Sequence, residues 1–383
     1  MAKGDVFKAN RTERPSVLAG SRLWTFDPWE GNQYVPYFYN PALDANGQRL
    51  ILNGERDGAT QTYLLDLDTD EVVQLTEAAG SGQNWSPYIR EQVSGIRPQF
   101  IAWVQPAYGE VVYFEGNTLC MVNTTTLESE TLYSMPDGMA PAVLNCSVGG
   151  WVAWGYLPTA MQEQMREGAS VFDLDVELEA SCGFCVYDIA ARRLIMDVTV
   201  PFWPNHVAAS PDHRQILCCH EGLWEKQRMY LYDVEAAQVR PLRLQDDGAR
   251  IGHEFWIDAT TVAYHGSIGE DGFFGTIDVE TDKRQERRAA AEAHSYGHYH
   301  LSPDGRSIVT DGEVTPDMIS VSALEDDQLA FDPVCHHDWA RSGDQRVHPH
   351  PNWHRDGRQI TFTSCDTASD GSIRTRISLL ELP

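Results

Sequence analysis

The chain has 383 residues, 42% of them hydrophobic and 10% aromatic, which suits a globular protein with a sizeable core. Lys and Arg number 29 against 56 Asp and Glu, a formal net charge of −27 at pH 7. That balance excludes nucleic acid and anionic membrane as partners, and it means that an anionic substrate needs positive charge supplied locally, by a metal or by arginines.

Met1-Ala2-Lys3-Gly4-Asp5 opens the chain without an apolar segment. No apolar run approaches the ~18 residues of a membrane span. Eight cysteines are scattered, and only Cys182 and Cys185 have chelating or redox spacing, with no second such pair. A reduced, cytoplasmic protein with free buried thiols is expected.

Further along, a turn-and-strand unit recurs. Asp44-Ala45-Asn46-Gly47 leads into Arg49-Leu50-Ile51-Leu52, and Ser210-Pro211-Asp212-His213 leads into Gln215-Ile216-Leu217-Cys218. Trp256-Ile257-Asp258-Ala259-Thr260 is a degenerate copy. Ser302-Pro303-Asp304-Gly305 and His354-Arg355-Asp356-Gly357 repeat the pattern before Ser307-Ile308-Val309-Thr310 and Gln359-Ile360-Thr361-Phe362. Each is a tight turn feeding a β-rich strand. A second strand type, such as Met229-Tyr230-Leu231-Tyr232-Asp233, follows and runs into another polar turn. In the second half the period is about 45 to 50 residues, which predicts an all-β propeller of four-stranded blades. Chain length over period allows seven blades, or less readily eight. No linker interrupts the repeat, so residues 1–383 are expected to form one domain, with Ile377-Ser378-Leu379-Leu380-Glu381-Leu382 helping to close the ring.

One insertion, at about 155–185, breaks the pattern. Its residues 159–168 predict a short helix ending at Gly168, followed by Asp173, Asp175, Glu177 and Glu179. It is expected between blades, either as an idle surface loop or as the wall of a substrate groove.

Histidines gather where blades begin: His206, His220, His253, His294, His298, His300, His336, His337, His348, His350 and His354. In Gln345-Arg346-Val347-His348-Pro349-His350-Pro351, the prolines bias His348 and His350 toward extended backbone. Alternation then puts both imidazoles on one face. Gln345 can add an amide oxygen, and such a set suits Mn, Fe, Ni or Zn. The competing reading is a proline-stiffened loop whose histidines only hydrogen-bond. His298 precedes Asp304-Gly305 at an offset close to that of His348 and His350 before Asp356-Gly357, so the three are expected to converge on one divalent ion.

Several motifs, in this order, resemble the oligogalacturonate lyases of polysaccharide lyase family 22. They are Tyr63-Leu64-Leu65-Asp66-Leu67 with Gln74-Leu75-Thr76, Cys219-His220-Glu221-Gly222, Gln227-Arg228-Met229, His253-Glu254-Phe255-Trp256, Gly297-His298 with Thr310-Asp311-Gly312, and the His-Pro-His-Pro segment. The match runs from about residue 200 to the end and over roughly 37–77. The resemblance implies a seven-bladed propeller that breaks short uronate oligosaccharides by β-elimination. It implies manganese ligands at His298, Gln345, His348 and His350, a Brønsted base at His253 and a charge-steadying Arg228. His206, His220 and Tyr37 are expected to contact the small acidic oligosaccharide. Tyr34-Val35-Pro36-Tyr37-Phe38-Tyr39 and the 155–185 insertion depart from the family pattern, which leaves the identity of the uronate open. Two alternatives stand beside this reading: the same elimination on a glucuronate- or iduronate-containing oligosaccharide, and a propeller that only binds. The sequence does not give the oligomeric state.

Overall fold

The computed structural model describes residues 2–78, 95–105, 107–166, 182–222, 226–289, 297–312, 317–325, 328–338, 348–367 and 371–383. Seven separate sheets of four or five strands follow one another around a ring. Blades 1 to 7 start, at the axis, with the strands Gln33–Tyr34, Ile101–Trp103, Met139–Cys146, Pro204–Ala209, Ala249–Trp256, Tyr299–Leu301 and Asn352–Trp353. The fold is thus the seven-bladed β-propeller expected from the turn repeat. Among the described residues, no helix is long and apolar enough to cross a membrane.

Burial explains why the strands read as they do. A strand in mid-blade is covered on both faces by the neighbouring blades, so it needs apolar residues without alternation. Leu50, Ile51 and Leu52 are consecutive and all buried. The outer strands Ser129–Ser134 and Arg284–Ala289 are mostly exposed and correspondingly polar. The core therefore lies between blades. Leu217, Met229 and Leu231 of blade 4, for example, pack with Ile251, Val262 and Tyr264 of blade 5. Indole groups tie adjacent blades together at their inner strands: Trp103 Nε1 donates to Ala42 O and Trp256 Nε1 to Ala208 O, both at 2.9 Å.

The four turns read from the sequence are one turn repeated. In each, the fourth residue's amide donates to the first residue's carbonyl: Gly47 to Asp44, His213 to Ser210, Gly305 to Ser302 and Gly357 to His354. The fourth residue is left-handed every time, at φ +69°, +62°, +70° and +70°. Glycine takes that conformation freely, whereas His213 does so at a cost of about 1–2 kcal/mol. Its ring stacks on Trp151, centroids 4.0 Å apart, and its Nε2 lies 3.1 Å from Ser147 Oγ, which offsets the strain.

Both chain ends make the closure. Ile373–Glu381 lies in the middle of blade 7, paired to Gln359–Thr367 on one side and to Arg22–Asp27 on the other. Asn10–Arg14 then adds a fifth strand, and Val6–Lys8 crosses to the outer edge of blade 1. The insertion is placed differently from expectation. Its helix, Thr159–Arg166, lies within blade 3, between the second and third strands, not between blades. A link from second to third strand leaves at the rim where the inner strand begins, since antiparallel neighbours reverse direction. The acidic residues Asp173, Asp175, Glu177 and Glu179 lie outside the described residues.

His337, 1% exposed, sits where blades 6 and 7 meet, its carbonyl accepting the Cys365 amide at 2.7 Å. Burial pushes its imidazole down to about 4, although the nearby Asp311 carboxylate works in the opposite direction. A free imidazole titrates at about 6.5. The unfolded chain therefore takes up this proton first as pH falls, and stability is lost between about pH 6.5 and 4. The melting temperature is expected to drop across that window, and the drop should be shallower in His337→Gln.

Candidate active site

The histidines stand where inner strands begin, and in two blades a bulge presents them. In blade 4, Asn205 and His206 together oppose Cys219. In blade 5, Gly252 and His253 together oppose His265. Blade 3 carries the same bulge with Ala142 and Val143 opposite Gly155. A bulge leaves an amide out of the ladder and re-aims the side chain. A buried amide needs an acceptor, and here the residue across the hairpin provides it. His206 N–H donates to Cys219 Sγ at 3.1 Å, and His253 N–H donates to His265 Nε2 at 3.0 Å. In blade 6 the His298 amide is likewise bound by Asp311 Oδ1 at 2.6 Å. The separations are 13, 12 and 13 residues. That spacing, a histidine followed after one hairpin by an acceptor side chain, is the signal that would have found Cys219, His265 and Asp311 in the sequence.

These contacts set the tautomer of His253. Its Nδ1 lies 3.1 Å from Gly297 O and 3.0 Å from His265 Nε2. A carbonyl oxygen only accepts, so Nδ1 carries the hydrogen and Nε2 keeps its lone pair. Burial, then the neighbouring imidazoles of His298, His265 and His206, push His253 well below the ordinary histidine range. It is neutral at pH 7. The ring lies 4.4 Å from that of His298 and 5.4 Å from that of His206.

His298, His348 and His350 form a second group. One ring nitrogen from each lies within 4.8 Å of the other two. The His298 and His350 ring centroids are 4.3 Å apart. Asp311 organises the group from behind. Its Oδ2 accepts the His298 Nδ1–H at 3.0 Å, which leaves His298 Nε2 with a lone pair, and it accepts the His350 amide at 3.0 Å. Burial alone would raise the Asp311 carboxyl, but the adjacent His298 imidazole and the hydrogen bonds it donates outweigh that and hold the group well below the usual carboxylate range.

The backbone corrects one expectation. His350 is not extended but left-handed, at φ +51°. The preference of the residue before proline is overridden because this turn delivers the amide to Asp311 and the ring to the cluster. The shared face expected of His348 and His350 is thus produced by a turn, not by strand alternation. His350 Nε2 is buried and makes no hydrogen bond among the described residues. An orphaned imidazole nitrogen aimed into two others fits a divalent ion. Gln345 lies outside the described residues.

Beside His253 lies a charged layer. His206 Nδ1 is 3.0 Å from Glu254 Oε1, and its Nε2 is 3.1 Å from the Tyr37 hydroxyl. Arg228 Nε donates to Glu254 Oε2 at 2.9 Å, and its Nη1 lies 3.6 Å from Glu221 Oε1. All five of these side chains are buried. Arg228, for which the resemblance implies a charge-steadying role, is itself held by two carboxylates of the protein. Tyr37 touches both groups, with ring distances of 4.8 Å to His350 and 5.4 Å to His206. His220 is not part of this assembly. Its Nδ1 faces Gln227 O at 3.2 Å and its ring lies against Phe202, because it points off the strand face opposite to that of Cys219.

Removing the Asp311 carboxylate leaves two amides and one imidazole N–H without their acceptor. Asp311→Ala is expected to lower the unfolding free energy by about 3 kcal/mol, read from the urea midpoint. Asp311→Asn, which keeps one acceptor oxygen, should cost less.

No family profile matches the chain. The oligogalacturonide lyase of Pectobacterium atrosepticum is 24% identical over 396 residues, spanning 95% of each chain. The oligogalacturonate lyase of Dickeya dadantii is 24% identical over 394 residues, again 95% of each. Among solved structures, an oligogalacturonate lyase in complex with manganese aligns with a TM-score of 0.80 at 22% identity, covering 100% of this chain and 99% of its own. The resemblance read from the motifs is thereby shown along nearly the whole chain, which is similar to the oligogalacturonate lyases in sequence and shares their fold.

Proposed function

We propose that this protein is a metal-dependent oligogalacturonate lyase that breaks short uronate oligosaccharides by β-elimination. What carries the reading is one juxtaposition: a neutral imidazole with a free Nε2, 4.4 Å in ring distance from a cluster of three converging imidazoles. Elimination needs a base at C5 and stabilisation of the charge that grows on the neighbouring carboxylate. His253 is the base, its Nε2 lone pair held ready by the Nδ1–H bond to Gly297 O. His298, His348 and His350, with Gln345, hold the metal, and Asp311 orients the first and last of these histidines. When bound there, a manganese ion supplies Lewis-acid stabilisation to a uronate carboxylate. Manganese is the metal of the similar solved lyase. Arg228 steadies the site by fixing Glu254, and through it His206. Tyr37 and His206 line the floor against which the sugar rests. His220, lying apart, has the weakest claim to a substrate contact.

The same reading takes residues 1–383 as one propeller domain. It places the protein in the cytoplasm, supported by eight cysteines that are all free and buried.

The first test is ultraviolet detection of the conjugated unsaturated product from galacturonate oligomers, with glucuronate oligomers in parallel. No product from any uronate oligomer in the presence of Mn²⁺ would sink the reading. In the active enzyme, His253→Ala is expected to lower turnover by about 10³-fold while elemental analysis finds the same metal content. His348→Ala should lose both metal and activity. Because His253 is held below the ordinary histidine range, the acid limb of the kcat/KM profile is expected below the ~6.5 of a free imidazole.

A further inference from the structure

Elimination moves two protons, one from C5 to a base and one onto the departing O4 of the sugar. The His253 assignment accounts only for the first. We propose that Tyr37 donates the second and that His206 replaces it, an inference that rests on the lyase reading above.

Position singles out Tyr37. Its ring lies 6.2 Å from the ring of His253 and 5.6 and 4.8 Å from those of His298 and His350. A uronate engaged by the base and the imidazole cluster therefore rests against this tyrosine. Its hydroxyl is 3.1 Å from His206 Nε2, so it already belongs to a hydrogen-bonded chain. A phenol alone is a poor acid for a sugar alkoxide, because the phenolate it would leave is costly in a buried site. Simultaneous proton transfer from a partner removes that difficulty.

His206 is built as such a partner. Its Nδ1 faces Glu254 Oε1 at 3.0 Å, and a carboxylate only accepts, so Nδ1 carries a hydrogen. The other ring nitrogen is aimed at the Tyr37 oxygen. In the proposed chain a second hydrogen sits there, pointing at the Tyr37 oxygen. Glu254 and Glu221 are buried carboxylates, and the Arg228 guanidinium bound to them balances one of the two. Cys219 Sγ is engaged by the His206 amide and adds no charge, since burial pushes its thiol well above the ordinary range. His206, Cys219 and Glu254 also present ligand atoms within 4.8 Å of one another, but the guanidinium on Glu254 is incompatible with a cation there.

The step balances. The C4–O4 bond breaks and its electron pair goes to O4, which takes the Tyr37 hydroxyl hydrogen. The Tyr37 oxygen takes the hydrogen from His206 Nε2, and His206 is left neutral with Nδ1–H on Glu254. His253 holds the C5 proton. The C5–H electron pair becomes the second bond between C4 and C5, and after product release His253 gives its proton to solvent and His206 regains one from solvent.

The test compares Tyr37→Phe and His206→Gln with wild type, all loaded with Mn²⁺, on two substrates. One is trigalacturonate. The other is a galacturonate carrying 4-nitrophenol at O4, which departs without needing a proton. Tyr37→Phe is expected to lower kcat on trigalacturonate by about 100-fold or more with KM little changed, and to keep near-wild-type turnover of the nitrophenyl substrate. His206→Gln should show the same split. Wild-type turnover of trigalacturonate by Tyr37→Phe would overturn the proposal. So would equal losses on both substrates, which would mark a structural role. A wild-type protein inactive on both substrates would instead defeat the lyase reading itself.

Discussion

The site depends on a backbone constraint: an amide removed from the sheet ladder must still be satisfied. At the start of the inner strands, the bulges that aim His206 and His253 toward the axis also leave their amides unpaired. Cys219 and His265 take these amides from the adjacent strand, and Asp311 takes those of His298 and His350. The acceptors do more than fill a vacancy. They fix where the histidine backbone sits, and in His253 and His298 they help decide which ring nitrogen keeps a lone pair. In blade 3 the same bulge carries Ala142 and Val143, with Gly155 opposite and no side-chain acceptor. The geometry is thus a property of the propeller, and the chemistry comes from which residues occupy it.

Charge is managed on two scales. The chain as a whole is strongly acidic, at −27. Beside the histidines, one guanidinium is enclosed by two carboxylates. Arg228 is buried and clamped between Glu254 and Glu221, so it acts as a fixed strut beneath the histidines. A buried charge deprived of its partner costs several kcal/mol, and such a layer keeps its members in one arrangement. The imidazole cluster lies beside this layer, with the buried His350 Nε2 making no hydrogen bond among the described residues.

Much of the fold was legible because four turns of one pattern each hold a left-handed residue and recur at a similar spacing in the second half of the chain. That period narrows the count to seven or eight blades, and the sheets number seven. The closure was only half legible. The Ile377–Leu382 segment reads as a strand, but Asn-Arg-Thr-Glu-Arg at 10–14 is polar and exposed and carries no repeat signal, so its place on blade 7 is set by tertiary pairing. Among the site residues, the histidines stood out by their offsets before the turns. Their acceptors did not, because matching residue 253 to 265 requires knowing that a bulge shifts the register by one. The rule for residues before proline failed at His350 for a related reason. A hydrogen bond to a buried carboxylate outweighs a local preference of roughly 1–2 kcal/mol.

Asp311 also links the site to the way the ring closes. It lies in blade 6, yet it holds the amide of His350, which leads into blade 7. Blade 7 is assembled from 352–381 together with 10–27, the two most distant parts of the chain. The His298, His348 and His350 cluster therefore spans the seam between blades 6 and 7. The pairing of Arg22–Asp27 with Ile373–Glu381 joins the far ends of the chain, and contacts of such sequence separation are costly to make early, since loop closure precedes any gain from pairing. Once blade 7 is built, the N-terminal strands hold it from outside, Leu23 against Leu380 and Phe26 against Ile377. The imidazoles are then brought together by the whole ring, not by a local loop. This is how a left-handed His350 can be kept in place without a glycine.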